Sequence, residues 1–180
     1  MNSAAPIYVG QLSEQVVWIR VEGKGSFQNS PELREFANCV IRRGARRVVV
    51  DLENCPVMDS TFMGTLVGIA NMLDEVAGED GSLDVINANE RNVQLVQSLG
   101  LDHLFTLDTT GESWPAVRGA ISSQAAESEE LDHITLDKKG SAELMLDAHQ
   151  TLSDADESNV HRFRDVIEFL KKDLQASSAT

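Results

Sequence analysis

The chain has 180 residues, enough for one hydrophobic core of ordinary size or for one domain with an extension. Its net charge of −14 disfavours nucleic acid and anionic lipid as partners, because both repel a strongly acidic surface. Its 42% apolar residues include no run of the roughly 18–20 that span a bilayer and no apolar leader at the N-terminus, so we expect a cytoplasmic protein without membrane insertion.

The N-terminal segment predicts two strands followed by a helix. Residues 7–12 and 15–23 are typical of two strands joined by a tight turn, and apolar and polar residues alternate in the second. A loop rich in glycine and polar residues comes next. Ser30 as N-cap and Pro31 at the first helical position then begin a helix, which Gly44 ends as a C-cap.

Strands and helices alternate through the middle of the chain. Residues 46–53 have a continuous apolar centre, which is typical of a buried central strand. A long helix begins near Asp59, with Phe62, Leu66, Ile69 and Leu73 at helical spacing. Up to about residue 120 the predicted order is β-β-α-β-α-β-α-β-α, which indicates a mixed sheet with crossover connections.

The composition changes after the last of these helices. Residues 122–130 are small, polar and acidic, as expected of a linker. We therefore divide the chain into a domain at 1–121, an acidic linker at 122–130 and a C-terminal extension at 131–180. Early in the extension, alternating apolar residues are compatible with a hairpin, although the second half of that segment is equally compatible with one or two helical turns.

The end of the extension gives a clearer signal. Five apolar residues are spaced 3-4-3-4 and predict an amphipathic helix at about 156–175: Val160, Phe163, Ile167, Leu170 and Leu174. The apolar stripe requires a partner, which is either the rest of this chain or another molecule. In the second case the helix forms a homodimer or contacts a different protein.

The start of the long helix at Asp59-Ser60 has two interpretations. An acidic residue or a serine ahead of a helix is typical of an N-cap, which contributes about 1 kcal/mol. A hydroxyl at this place is also accessible, because no preceding helical turn covers it. A phosphate attached there is favoured by the free N–H groups and the helix dipole.

Several features around this start follow the pattern of a known family. Asp51-Leu52 ends the strand, Val57-Met58-Asp59-Ser60-Thr61 opens the helix, and Gly64 follows. The order of elements over residues 6–120 and the stretch LVQSLGLDHLF at 95–105 match as well. The chain thus resembles the STAS domain of bacterial anti-anti-sigma factors, also called anti-sigma factor antagonists. The resemblance implies an α/β fold, with a mixed β-sheet of about four to five strands and helices mainly on one face.

The resemblance also implies a regulatory, non-enzymatic function. A protein of this kind binds an anti-sigma factor or a serine kinase and switches partner when Ser60 is phosphorylated, with Thr61 a candidate second acceptor. No cofactor is expected, since ATP belongs to the kinase. The implied partner-binding residues are Asp59, Ser60, Thr61, Phe62, Met63, Gly64, Ser26 and Gln28. The alternative is a STAS scaffold or assembly subunit of a signalling or lipid-transport complex, in which Ser60 is only a cap.

Two departures from the family pattern concern the partner surface. Phe62 replaces the first glycine of the family motif, and the loop Gly25-Ser26-Phe27-Gln28 lacks the acidic residue often found there. Both positions lie near the family's partner contact surface. They bear on the identity of the partner more than on the fold, and Phe62 favours the scaffold alternative.

Other chemistry has little support in the sequence. A serine nucleophile lacks the Gly-x-Ser-x-Gly elbow, and the four histidines are far from Ser60 in sequence and lack metal-ligand spacing. Asp154–Asp165 is superficially similar to a calcium loop but has Asn159 in place of the glycine at its sharp turn. We therefore expect no catalytic residues and no metal.

Overall fold

The computed structural model describes residues 4–123 and 128–178. Its strands are β1 (Ile7–Ser13), β2 (Val16–Val21), β3 (Arg47–Asp51), β4 (Ser82–Ile86), β5 (Thr106–Leu107) and β6 (Glu129–Glu130). They form one sheet with the order β5-β4-β3-β2-β1-β6, in which β1 runs antiparallel to β2 and β6 and the other neighbours are parallel. The predicted mixed α/β fold is confirmed. A sixth strand exceeds the predicted four to five, because two residues of the predicted linker pair with β1.

Helices cover both faces of the sheet unequally. They are α1 (Ser30–Arg42), α2 (Ser60–Ala77), α3 (Glu90–Ser98), α4 (Pro115–Ser123), α5 (Lys138–Ala155) and α6 (Glu157–Ser178). Successive side chains of a strand point to opposite faces. Val48 and Val50 accordingly lie in the large core with α1, α2 and α3, whereas Val49 packs with Val117 of α4. The helices therefore lie mainly on one face, as predicted.

The central helix of the larger face is α2. Its residues Phe62, Leu66, Ile69 and Leu73 are each at most 2% exposed, so the spacing seen in the sequence marks the side that faces the sheet. The helix begins at its N-cap Asp59 and ends at Gly78, which has a positive φ of 53°. A 3₁₀ turn, Gly78–Asp80, then leads into β4.

A chain of polar side chains attaches α4 to the opposite face. The buried Asp51 carboxylate accepts a hydrogen bond from the Asn87 amide at 2.8 Å, and the Asn87 carbonyl accepts one from Arg118. Arg118 also pairs with Asp108 at 2.6 Å. Burial alone would raise the pKa of Asp108, but hydrogen bonds from Thr110, Arg118 and a backbone N–H outweigh it and hold that pKa well below the ordinary value.

The C-terminal segment differs from the prediction in its first part. Residues 138–155 form the helix α5, so the hairpin considered for this segment is wrong, and the helical alternative is too short. Asp137 is the N-cap and accepts from the backbone N–H of Gly140 at 2.7 Å. Leu144, Ala148 and Leu152 recur every four residues and are buried, which gives α5 a packing face.

The last predicted helix, 156–175, is confirmed as α6, which begins one residue later and extends three residues further. Phe163 and Leu170 of its apolar stripe are buried within this chain. The homodimer expected through this helix stays a prediction. No helix within residues 4–123 and 128–178 has the length and apolar character needed to cross a membrane.

The predicted linker lies only partly within the described residues, because 124–127 fall outside them. Glu129 and Glu130 pair with Val9 and Tyr8 on the edge of the sheet. The division of the chain into a domain, a linker and an extension stays a prediction.

Candidate functional site

The start of α2 is fixed by the carboxylate of Asp59. One oxygen accepts from the backbone N–H of Phe62 at 2.9 Å, and the other accepts from the backbone N–H of Phe27 at 3.0 Å. The backbone N–H of Asp59 donates to the carbonyl of Gly25 at 2.9 Å. A single residue therefore caps the helix and holds the loop after β2 against it.

Ser60, the first residue of α2, is partly buried and has a side-chain partner. Its Oγ lies 2.9 Å from Nε2 of His149 on α5. Nδ1 of the same ring is 2.6 Å from the Met145 carbonyl, which can only accept, so Nδ1 carries a proton. In the neutral ring Nε2 therefore accepts from the Ser60 hydroxyl. The sequence predicted Ser60 at the helix start, and the structure adds a histidine distant in sequence.

At Gly64 the helices α2 and α5 are in close contact. A Cβ built on Gly64 would lie 2.4 Å from the carbonyl oxygen of Ala148, so any other residue would push the two helices apart. Gly68, one turn further along, has nothing within 4 Å of its hypothetical Cβ. The α5 helix thus covers the outer side of α2 at Ser60 and Gly64 and leaves Gly68 open.

Two of the predicted partner-binding residues point into the core. Phe62 and Met63 are 0% exposed, so the prediction that they contact a partner is wrong. Phe62 packs against Gly25, where a Cβ would come within 2.8 Å of its ring. The physical reason is helical periodicity, because these two residues belong to the side of α2 that faces the sheet.

The other predicted residues are divided between surface and interior. Ser26 is 5% exposed and Thr61 is 4% exposed, which hides the predicted second phosphate acceptor. Asp59, Ser60 and Gln28 are partly exposed. Gly64 is buried under α5. The structure therefore brings the predicted residues together around the start of α2 but leaves only part of them on the surface.

The sequence reasoning missed His149 and Ala148. A helical signal was present, because Ala142, Met145, His149 and Leu152 are spaced 3-4-3. The alternating apolar residues nearby gave a competing strand pattern. Without α5 as a helix, no argument could place a histidine next to Ser60.

The Ser60–His149 pair resembles an activated serine in its hydrogen bond but not in its surroundings. An acyl-transfer site needs free N–H donors beside the nucleophile. Here the N–H of Phe62 is already bound by Asp59. The imidazole is 6% exposed and packs on the ring of Phe163, with centroids 5.2 Å apart. The arrangement covers the hydroxyl instead of presenting it to a substrate.

Within the described part of the chain, no group of three or more histidine, cysteine, aspartate or glutamate side chains is placed to hold a metal ion. Cys39 is exposed and Cys55 is buried, and both are free thiols. Burial raises the pKa of the Cys55 thiol.

Comparison with known proteins agrees with this fold. A family model described as the STAS domain matches residues 11–114. The chain belongs to the STAS domain family. The anti-sigma-B factor antagonist of Staphylococcus aureus strain NCTC 8325 is 31% identical over 86 residues, which are 48% of this chain and 77% of the relative. The same match is found in strain COL.

Solved structures share the architecture of this STAS domain. The anti-sigma factor antagonist SpoIIAA in its unphosphorylated form aligns with a TM-score of 0.52 at 23% identity, covering 62% of this chain and 95% of SpoIIAA. A Thermotoga maritima protein solved at 1.59 Å also aligns with a TM-score of 0.52, at 18% identity over 61% of this chain and 92% of its own. At these identities the similarity establishes the fold alone.

Proposed function

We propose that this STAS protein is an anti-sigma factor antagonist that works by partner switching, controlled by phosphorylation of Ser60. The observation that carries the proposal is Ser60 itself, a hydroxyl at the first position of α2 with Asp59 as the cap before it. The relatedness to an antagonist from Staphylococcus aureus supports the choice of partner. Regulation of this kind belongs in the cytoplasm and requires no active site in this chain.

The start of α2 suits a phosphate without disturbing the helix itself. The first backbone N–H groups of α2 have no partner within the helix, and the dipole favours negative charge there. The Asp59 side chain accepts the N–H of Phe62, and the Asp59 carbonyl accepts that of Met63. A phosphate on Ser60 adds about −1.5 to −2 charges beside the Asp59 carboxylate.

That charge is sufficient to control a protein contact. A phosphate buried in an interface without a matching cation costs several kcal/mol. A difference of about 5.5 kcal/mol in affinity moves an equilibrium from one per cent to ninety-nine per cent bound. The unmodified protein therefore binds the anti-sigma factor, and the modified protein releases it. The phosphate comes from ATP bound by the kinase.

Binding measurements test the switch directly. Each anti-sigma factor encoded in the source genome is purified and titrated into wild type, Ser60→Ala and Ser60→Asp. We expect one factor to bind wild type and Ser60→Ala alike, and to bind Ser60→Asp at least tenfold more weakly, equivalent to about 1.4 kcal/mol. Equal binding to Ser60→Asp would indicate the scaffold alternative instead.

Phosphate transfer tests the modified residue. A serine kinase from the same genome is expected to label wild type with phosphate from ATP and to leave Ser60→Ala unlabelled. Thr61→Val serves as the matched control, because Thr61 is buried and its loss should not reduce labelling. A double variant with Ser60→Ala and Thr61→Val is labelled in the same way. Labelling equal to that of wild type would refute Ser60 as the acceptor.

A further inference from the structure

The face of α2 that carries Ser60 is already occupied by the chain itself. His149 binds the Ser60 hydroxyl at 2.9 Å, and the backbone of Ala148 lies on Gly64. Both belong to α5, which packs on α2 on one side and on α6 on the other. We call α5 and α6 together the C-terminal helix pair. A protein that binds this end of α2 needs the surface that α5 now occupies.

The helix pair is attached to the rest of the chain about one turn beyond His149. The buried side-chain amide of Asn159 donates to the carbonyls of Leu99 and Leu152, at 2.9 Å each. Leu152 is 0% exposed and belongs to the large core. A Cβ on Gly100 would meet the Asp156 carboxylate at 2.4 Å, so the turn between α5 and α6 lies directly on the chain after α3.

Near Ser60 the contact is weaker in kind. Gly64 and Ala148 are small, and the polar link there is one hydrogen bond between a hydroxyl and an imidazole. The outer ion pair, Arg34 with Asp147 at 3.1 Å, has about half of each side chain in solvent. An exposed pair of this kind adds little. The stretch of α5 that covers Ser60 is therefore held to α2 by weaker contacts than those that hold Leu152 in the core one turn later.

An open groove lies next to the covered face. Its volume is about 340 Å³, and it runs between α1, α2 and α5 past Gly68, Asn71 and Glu75. A partner can contact this open turn of α2 while α5 is still in place. Such contacts provide an initial binding site for a competitor before it displaces α5.

We propose that the C-terminal helix pair is an intramolecular cover for the docking face of α2, and that an anti-sigma factor or a kinase reaches Ser60 only when α5 is displaced. The identity of the displacing protein, an anti-sigma factor or a kinase, rests on the proposed function above. The cover itself rests on the contacts of Ser60, Gly64, Ala148 and His149.

The cover and the phosphate exclude each other in this geometry. Nε2 of His149 lies at hydrogen-bond distance from the Ser60 Oγ, where the phosphorus and three oxygens of a phosphate would have to fit. The backbones of α2 and α5 already touch at Gly64 and Ala148, so the helices leave no spare space beside Ser60. Phosphorylation of Ser60 therefore requires α5 to move and prevents its return to the same position.

The reactivity of a thiol at position 60 measures the cover without any partner. The full chain with Ser60→Cys is treated with iodoacetamide, and mass spectrometry assigns the label. Cys39 is exposed and gives the rate of an open thiol, while Cys55 is buried and reports unfolding. A cysteine at a helix N-terminus is intrinsically reactive, so slow labelling there indicates cover.

Ala148→Leu is added to displace α5, since the larger side chain cannot fit against Gly64. Asp154→Leu is the matched control, because it introduces the same residue at an exposed position of the same helix. We expect the introduced thiol to react about tenfold more slowly than Cys39, and Ala148→Leu to remove most of that difference. Asp154→Leu should leave the difference in labelling rate between the introduced thiol and Cys39 unchanged. Cys55 should stay unlabelled in every variant.

Equal labelling of the introduced thiol with and without Ala148→Leu, while Cys55 remains protected, would overturn the cover. The anti-sigma factor found in the binding test is then titrated into Ala148→Leu and Asp154→Leu, with Ser60 intact. Tighter binding by Ala148→Leu alone supports competition, and equal binding overturns it. If no factor binds any variant, the proposed function fails, and thiol labelling still decides whether α5 covers Ser60.

Discussion

The two sides of α2 differ in what they pack against and in how firmly. The side facing the sheet presents large residues such as Phe62, Met63 and Leu66, all 0% exposed in the main core. The outer side near Ser60 presents Gly64 and Gly68, and α5 covers only part of it. The same helix thus has one face buried in the core by large residues and one outer face built from small residues.

The difference shows how one helix can serve both stability and recognition. Burial of large apolar side chains supplies most of the free energy of folding. Small residues and a single neutral hydrogen bond supply little, but they allow another backbone to approach closely. The inner face holds the fold, and the outer face carries the small residues on which the proposed exchange of occupants rests.

The largest expected effect is on the inner face. Phe62→Ala should lower the free energy of unfolding by about 3–5 kcal/mol, because it removes a fully buried ring and leaves a cavity. Urea denaturation measures this. Ser60→Ala, two residues earlier but on the outer side, should cost no more than about 1 kcal/mol. Similar losses for both variants would contradict the distinction between the two faces.

A smaller and more local effect is expected where α5 enters the core. Leu152→Ala should cost about 2–4 kcal/mol, and most of it should appear as separation of α5 from α2. Hydrogen exchange should accelerate in α5 and in the first turn of α2, while β3 keeps its protection. Val160→Ala, at an exposed site on α6, is the control and should change neither. Loss of protection in β3 at the same rate would mean that the helix pair and the sheet unfold together.

The attachment of α4 gives a third kind of contact, dominated by charge. Asp108→Asn should lower stability by about 1–3 kcal/mol at pH 7, because it weakens hydrogen bonds to a carboxylate. The pKa of Asp108 is depressed in the folded state, so its stabilisation is present above the ordinary pKa and is lost as the pH falls through the folded value.

The pH dependence separates this effect from a packing defect. The gap in stability between wild type and Asp108→Asn should narrow below about pH 4 in denaturation experiments. Asp102→Asn, at an exposed position shortly before it, is the control and should show no gap at any pH. A difference in stability between wild type and Asp108→Asn that stays constant down to pH 2 would show that the substitution acts through packing and not through the lost charge.

The smallest expected effect has the opposite sign. Gly68→Ala should stabilise the protein by up to about 1 kcal/mol, because alanine favours a helix and nothing lies within 4 Å of the new methyl group. Gly64→Ala should not gain this, since its methyl group would collide with Ala148. Thermal melting of the two variants compares them directly. Equal stabilisation would show that α5 does not lie on Gly64 in solution.

Local patterns were sufficient to predict the central fold. The alternation in β2, the apolar run in β3 and the cap at Asp59 each depend on neighbouring residues in the sequence. The stripe of α6 was found for the same reason. Ser60 was correctly placed at the start of α2, because the cap and the glycine spacing fix the helix boundary.

The cover over Ser60 depends on contacts between distant residues and was not predicted. His149 is 89 positions away from Ser60, and no local pattern links the two. The inner orientation of Phe62 was implied by its spacing with Leu66, yet the family motif suggested a surface position. Packing decides which side of α2 faces the sheet, and the buried residues of its first half lie on nearly every side.

The short strand β6 has a consequence for how the helix pair leaves and returns. Glu130 pairs with Tyr8, and the N–H of Leu131 donates to the Ile7 carbonyl at 2.8 Å, so the chain is clamped to the sheet edge just before α5. Residues 132–137 alone separate this clamp from α5. A displaced helix pair therefore remains on a short tether, at an effective concentration on the order of millimolar. Any competitor in dilute solution must overcome that local excess, and α5 returns to its place when a competitor dissociates from unphosphorylated Ser60.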